Sequence, residues 1–339
     1  MKPFWQRPPQ KSKKKKHKTK PTPKQHQTMA PKQLNKWVPP HLTKSKIPVT
    51  EKHLLVEAPV TYTIPPAPTD TNEAPIPQQH LKEKKDSPKS QQARKDFLQA
   101  FRSLMGKHRS WDIWSDFVTL TACTISNAVD KSHYDKREKR YLQIIRKYNK
   151  QEREVFPKLF AFTVLALGED PEQDFLGDLY TELNLHEEER KQIFTPYNIC
   201  HLMADITLGG LVQDVEEKGY VEIHDCCCGA GAILIAATNV ARGKLEKAEL
   251  NYQNHILVSG QDLDEIVLMM CYIQLSLLGV AGYFKVGNAL TEPMTTSDSL
   301  DDYWFTPMYF FPVWHYRRMW HRVEALFKEG DDNEKQSLT

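Results

Sequence analysis

Asp225, Gly229, Gly231, Asp262 and Asn288 are the residues of this 339-residue chain whose types and spacing could hold a ligand. Tyr220-Val221-Glu222-Ile223-His224 is a short β-favouring stretch ending at Asp225, followed by Cys226-Cys227-Cys228-Gly229-Ala230-Gly231 and an apolar run, Ile233 to Val240. The pattern reads as strand, glycine turn, helix. Gly229 and Gly231 let the backbone turn tightly and approach a ligand, and the first turn of the helix offers unpaired N–H groups. The run lacks the third glycine of a dinucleotide fingerprint and the Gly-Lys-Ser/Thr of a phosphate loop.

About 30 residues on, Ile256 to Asp262 reads as a second strand ending in an acid, and a helix over 264–278 follows, with Gly279 as its C-cap. An acid at the tip of strand two, beside a glycine turn after strand one, is placed to accept hydrogen bonds from ribose hydroxyls, because βαβ geometry brings both tips to one crevice. Asp264 is the second choice for that role, since it reads as the helix N-cap. A third strand, Gly282 to Val286, ends at Gly287-Asn288, where the Asn288 amide could read an adenine at the same edge. Upstream, Phe194-Thr195-Pro196-Tyr197 opens an apolar helix, with Thr195 as N-cap and Pro196 in the first helical position.

The elements around these motifs fall into distinct segments. Residues 1–48 hold 14 of the 46 Lys and Arg and no acid, and 16 of the 22 prolines precede residue 90. Too little apolar surface is present to offset ordering, so 1–90 reads as a disordered basic tail followed by a Pro-rich linker. The run Lys11 to Lys20 suits sequence-independent phosphate contact, and also suits a solubilising tail or a nuclear-import signal. Residues 91–190 read as about five helices with a packing role; Trp111, Trp114, Phe117 and Tyr141 fall at helical spacing and read as core. Residues 191–328 form an α/β domain, and 329–339 a polar tail.

Composition narrows the class. No apolar run approaches the length of a transmembrane helix, and the basic N-terminus has no apolar stretch of the secretory kind after it. Six cysteines, three of them consecutive and none in a C-x-x-C pair, argue against a disulfide framework or a structural zinc. A cytoplasmic protein is expected.

In order, Phe194-Thr195-Pro196, Asp225-x-x-x-Gly229-x-Gly231, Gly260-Gln261-Asp262 and Gly287-Asn288-x-Leu290 resemble the N6-adenine DNA methyltransferase family. The likeness is to modification subunits of type I restriction–modification systems and to phage and plasmid methylases. It spans about 91–310 and implies a Rossmann-like S-adenosylmethionine-dependent methyltransferase core preceded by a helical domain. It also implies roles: Phe194, Thr195 and Pro196 at the methionine part of the cofactor, Asp225, Gly229 and Gly231 in the turn beneath it, Asp262 on its ribose and Asn288 at its adenine. DNA is the implied partner, reached through the basic tail at 2–24, with a partner subunit supplying target recognition.

The chain departs from the family pattern in three places. Cys226 follows Asp225 where the family has Pro. The Asn/Asp-Pro-Pro-Tyr/Phe motif is absent, and the nearest match is Thr306-Pro307-Met308-Tyr309, 18 residues after Asn288. By resemblance Tyr309 would stack on a flipped base, Pro307 would help present a carbonyl, and Thr306 would accept from the adenine amine through one oxygen. Four strands can be placed where the family has about seven. Attack by a cysteine is disfavoured, because Cys226 to Cys228 fall in the cofactor turn. Two functions stay open: methyl transfer to adenine N6 in DNA, in a restriction–modification or mobile-element setting, and a catalytically weak DNA-associated accessory protein that keeps the cofactor fold. Cofactor motifs alone also leave RNA or protein as substrate.

Overall fold

The computed structural model describes residues 61–63, 87–185 and 194–320. The tail at 1–48 and the segment 329–339 lie outside the described residues. A three-residue strand, β1 (Thr61–Thr63), is followed by the helices α1 (Pro88–Arg102), α2 (Ser110–Val129), α3 (Tyr134–Ile145), α4 (Lys150–Arg153), α5 (Val155–Glu169) and α6 (Phe175–Glu182). The α/β part then runs α7 (Tyr197–Thr207), α8 (Leu211–Lys218), β2 (Val221–Asp225), α9 (Ala232–Lys247), α10 (Tyr252–His255), β3 (Ile256–Asp262), α11 (Glu265–Leu277), β4 (Ala281–Val286) and β5 (Tyr303–Phe305).

The strands form one sheet in the order β1-β2-β3-β4-β5. The first four run parallel and β5 is antiparallel to β4. Asp225 lies opposite Gly260, and Asp262 opposite Val286, so the tips of β2, β3 and β4 share one edge. This is the Rossmann-like core that the βαβ pattern implies, with helices before it. β2, β3 and β4 are nearly all buried, as a parallel sheet covered on its faces requires.

Two elements fall where the sequence reads otherwise. Thr61–Thr63 and the start of α1 at Pro88 interrupt the stretch read as disordered. Thr-Tyr-Thr has the β-branched and aromatic side chains that suit a strand, and Pro88 in the first turn of α1 loses no helical hydrogen bond. Thr195 is not a helix cap. Pro196 takes that position with ψ 136°, and α7 starts one residue later than its sequence suggests.

A continuous apolar core joins the helices to the sheet, running from Phe97, Trp114 and Phe117 to Val258, Met270, Phe284 and Trp304. Trp114 and Phe117 are wholly buried, while Trp111 and Tyr141 pack against the core partly covered. A polar clamp fixes the register of α2 and α3 on β5. Arg137 donates to Asp130 (2.7 Å) and to the Tyr303 carbonyl (2.5 Å) and lies 4.0 Å over the Trp304 ring. His133 contacts Asp130 through Nδ1 at 2.7 Å and the Leu300 carbonyl through Nε2 at 2.9 Å. The other face of the sheet carries a smaller cluster of Tyr220, Leu257, Tyr283, Tyr303, Phe305, Tyr309 and Trp314. No helix among the described residues is long and apolar enough to cross a membrane.

Candidate functional site

At the shared edge of β2 and β3 lies a cavity of about 220 Å³. Phe194, Thr195, Asp225, Gly229 and Asp262 all line it, with Cys227, Cys228, Ala230, Ala232, Ile233 and Val267 completing the wall. The glycine turn forms its floor. Gly229 has φ +54° and Gly231 φ +100°, a region that strains any residue bearing a Cβ. Space is short as well. A Cβ on Gly231 would sit 2.8 Å from the Cys271 Sγ, while one on Gly229 would make ordinary contact with the Phe194 ring at 3.5 Å. Ile235 is the first residue of α9 to donate back into the helix, to Gly231, so the amides of Ala232 and Ile233 open toward the cavity with the positive end of the helix dipole.

Two carboxylates face this space. Asp262 accepts from the Gly229 amide through Oδ2 and from the Asp264 amide through Oδ1, both at 2.9 Å, and thereby ties the tip of β3 to the glycine turn. Asp225 accepts from the Cys227 amide through Oδ1 at 3.0 Å, while its Oδ2 is buried and has no hydrogen-bond partner among the described residues. Burial pushes the Asp225 carboxyl up to about 6, with the charge of Asp262 adding to it, and burial also raises Asp262. A buried carboxylate oxygen without a donor is costly, and here it belongs to a residue of the cavity wall. The arrangement selects for a ligand that brings N–H or O–H donors and positive charge.

The remaining expected residues separate. Asp264 caps α11, accepting from the Ile266 and Val267 amides, so Asp262 is left as the acid in the cavity. Pro196 adjoins the lining and Gly231 shapes its floor. Asn288 stands at the same edge, outside the lining, and its Oδ1 accepts from the Leu290 and Thr291 amides in a local turn.

Thr306, Pro307 and Tyr309 lie elsewhere. Because β5 runs antiparallel to β4, it carries the chain away from the crevice. The Thr306 Oγ1 donates to the Val280 carbonyl (2.7 Å) and accepts from the Gly282 amide (2.9 Å), at the opposite end of β4 from Val286 and Asp262. At strand rise that is roughly 13 Å along the sheet. Thr306 is fully buried and Tyr309 nearly so, the latter packed on Phe305 and Tyr283 beneath Arg318. This placement gives the expected base-stacking and amine-accepting roles of Thr306 and Tyr309 no support: the segment braces the sheet from inside, outside the cavity lining.

The structure adds a supporting residue that motif reading missed. Gln274 is fully buried on α11. Its Oε1 accepts from the Leu176 amide (3.0 Å), and its Nε2 donates to Asp174 (2.7 Å) and to the Ala230 carbonyl in the glycine turn (2.9 Å). One carboxamide thus ties α6 and α11 to the cavity floor. The signal was present as a lone glutamine inside the apolar run Ile266 to Leu278. Gln274→Leu should cost about 2–3 kcal/mol in urea unfolding, since three buried polar groups lose their partner. Partial desolvation with the neighbouring Cys226 raises the Cys227 thiol to about 11 although the residue is exposed, and the Cys271 thiol together with burial raises Cys228, so neither offers a thiolate at neutral pH.

A comparison with curated proteins gave no match. Among solved structures, one from Listeria monocytogenes, provisionally assigned as a class I S-adenosylmethionine-dependent methyltransferase, aligns at 13% identity and a TM-score of 0.34. The alignment covers 59% of this chain and 55% of that one, so the chain spans about half the length of that structure. A family model described as N-6 DNA Methylase matches residues 171–330, which include the glycine turn, both acids and the Phe194-Thr195-Pro196 segment. Over residues 171–330, a little under half of its length, this chain is similar to the N-6 DNA methylase family.

Proposed function

We propose that the crevice at the tips of β2 and β3 binds S-adenosylmethionine and that the chain acts as a methyltransferase on DNA, at adenine N6, in a restriction–modification or mobile-element setting. The match of residues 171–330 to the N-6 DNA methylase family model supports that cofactor, and the residues fit it. The observation that carries the reading is the partnerless, buried Oδ2 of Asp225, a residue that lines the cavity together with Asp262. Asp225 supplies an acceptor for the ligand's ammonium group. Asp262, with a lone pair left on each oxygen, accepts from ribose hydroxyls. The amides of Ala232 and Ile233 face the ligand carboxylate, and Phe194 and Thr195 close one wall. Leu263, 73% exposed beside Asp262, offers an apolar face for a purine.

When bound, S-adenosylmethionine supplies an electrophilic methyl carbon on a positively charged sulfur. The chain's part is to orient that carbon and to present the acceptor, with no covalent enzyme intermediate. The placement of Thr306 and Tyr309 favours a second reading, in which the chain keeps the cofactor site and serves as a DNA-associated accessory protein with weak or no transfer. Titration calorimetry with S-adenosylmethionine tests the shared half of both readings, and no heat at millimolar cofactor would remove both. Transfer of labelled methyl to unmethylated DNA separates them: incorporation at adenine N6 supports the enzyme, and binding without incorporation supports the accessory protein.

A further inference from the structure

The helical layer carries a basic corner that the cofactor site does not use. Residues 102–109, between α1 and α2, contain Arg102, Lys107 and Arg109 and no acid. Residues 146–153, at the turn from α3 into α4, contain Arg146, Lys147, Lys150 and Arg153, with Glu152 as their one acid. All seven cations are exposed, and Glu152 is buried. The two segments meet at that glutamate. Glu152 accepts from the Lys107 Nζ at 3.2 Å, lies 3.5 Å from the His108 Nε2, and closes a capping box with Asn149. The His108 ring packs on that of Tyr148 at 4.7 Å. Asp116, also buried, partly offsets Lys147 at 3.0 Å. Asp112 and Glu154 flank the corner in sequence. This concentration of positive charge stands out in a chain whose residues 51–339 hold more acids than bases.

The corner is tied to the cofactor crevice by a short path. Arg109 adjoins α2, whose Trp111 packs edge-on against Tyr180 at 6.3 Å; Tyr180 in turn lies 5.5 Å from Phe194, a wall of the cavity. We propose that this corner seats the phosphate backbone of duplex DNA beside the crevice, an inference that rests on DNA as the methyl acceptor and names the surface that holds it. The side chains favour that occupant. Phosphates are neutralised by clustered Lys and Arg without base reading. A protein partner would need apolar anchors, and single-stranded RNA would need exposed aromatic rings to stack on. Of large apolar side chains the two segments expose only Met105, while Tyr148 is buried.

The test uses the full-length chain and anisotropy of a labelled duplex of about 30 base pairs, titrated at salt from about 50 to 300 mM. Arg109→Gln, Arg146→Gln and Lys150→Gln are combined in one variant, and Lys13 to Lys16 are changed to Gln in another. The corner variant should bind at least about tenfold more weakly near 0.1 M salt, and its log–log salt slope should fall by about 2–3. Its melting temperature and its S-adenosylmethionine affinity should match those of the unaltered chain. Unchanged affinity and slope in the corner variant would overturn the proposal, as would displacement of the duplex by equal amounts of single-stranded RNA. If the unaltered chain takes up no S-adenosylmethionine, the cofactor reading fails on its own, and the duplex comparison still decides the corner.

Discussion

Asp225→Asn is expected to weaken S-adenosylmethionine binding by at least about thirtyfold while making the ligand-free protein more stable, a pair of effects that a merely structural aspartate would not give. The affinity loss follows from removing a charge-assisted acceptor in a site largely shielded from water, which is worth about 2–3 kcal/mol. The gain in stability follows from proton linkage. Burial raises this carboxyl from its ordinary 3.8 to about 6. The unfolded chain therefore gives up the proton more readily than the folded one, and stability falls as pH rises from about 4 through about 6. Above that window the ionised Asp225 destabilises the fold by up to about 3 kcal/mol, which the amide removes. Urea unfolding should show the variant's full advantage at pH 7.5, about half of it at pH 5 and little at pH 4. In the unaltered protein, calorimetry should show affinity for the cationic cofactor falling on acidification through about pH 6. A variant that binds cofactor normally would remove Asp225 from the site.

Tyr309→Ala should cost about 3–5 kcal/mol of folding stability and leave the cofactor affinity of the folded fraction unchanged. Tyr309 fills the sheet's second face, with ring centroids 4.8 Å from Phe305 and 6.0 Å from Tyr283, and Arg318 lies 4.0 Å above its ring while donating to its carbonyl at 2.9 Å. Truncation would leave a cavity there and remove the platform on which the buried guanidinium rests. Tyr309→Phe, which keeps the ring, should stay within about 1.5 kcal/mol of the unaltered chain. Denaturant midpoints and calorimetry on the same preparations check this. A Tyr309→Ala protein that melts normally but transfers no methyl would return the residue to the reaction.

The crevice at the strand tips was legible because its signals are local. Strand, glycine turn and helix are written in consecutive residues, and Asp225 and Asp262 each close a short stretch of strand-forming residues before a turn, which puts them at strand tips. Gly279, at φ +71°, ends α11 as its position suggests. The placement of Thr306 to Tyr309 was not legible, for a topological reason. The segment 287–302 is long enough to bring the next strand back either parallel or antiparallel, and nothing in its composition selects one. The resemblance favoured the direction that would aim the segment at the crevice, and the chain takes the other. Gln274 and Asp174 escaped because their partners lie about a hundred residues apart, a pairing that no window on the sequence contains. The strand at Thr61–Thr63 was hidden by its brevity among prolines.

That short strand has a bearing on how the molecule matures. Thr63 aligns with His224 across roughly 160 residues, so the pairing closes a very long loop for few ladder bonds. Such a contact is expected to form late, after the helical layer and the three central strands have assembled around their own nearer neighbours. Until it does, the outer rim of Val221 to Asp225 carries unsatisfied amides and carbonyls, the kind of template on which chains join one another. Thr-Tyr-Thr then serves as a selvedge, a narrow woven border that keeps this cloth from stitching itself to the next piece.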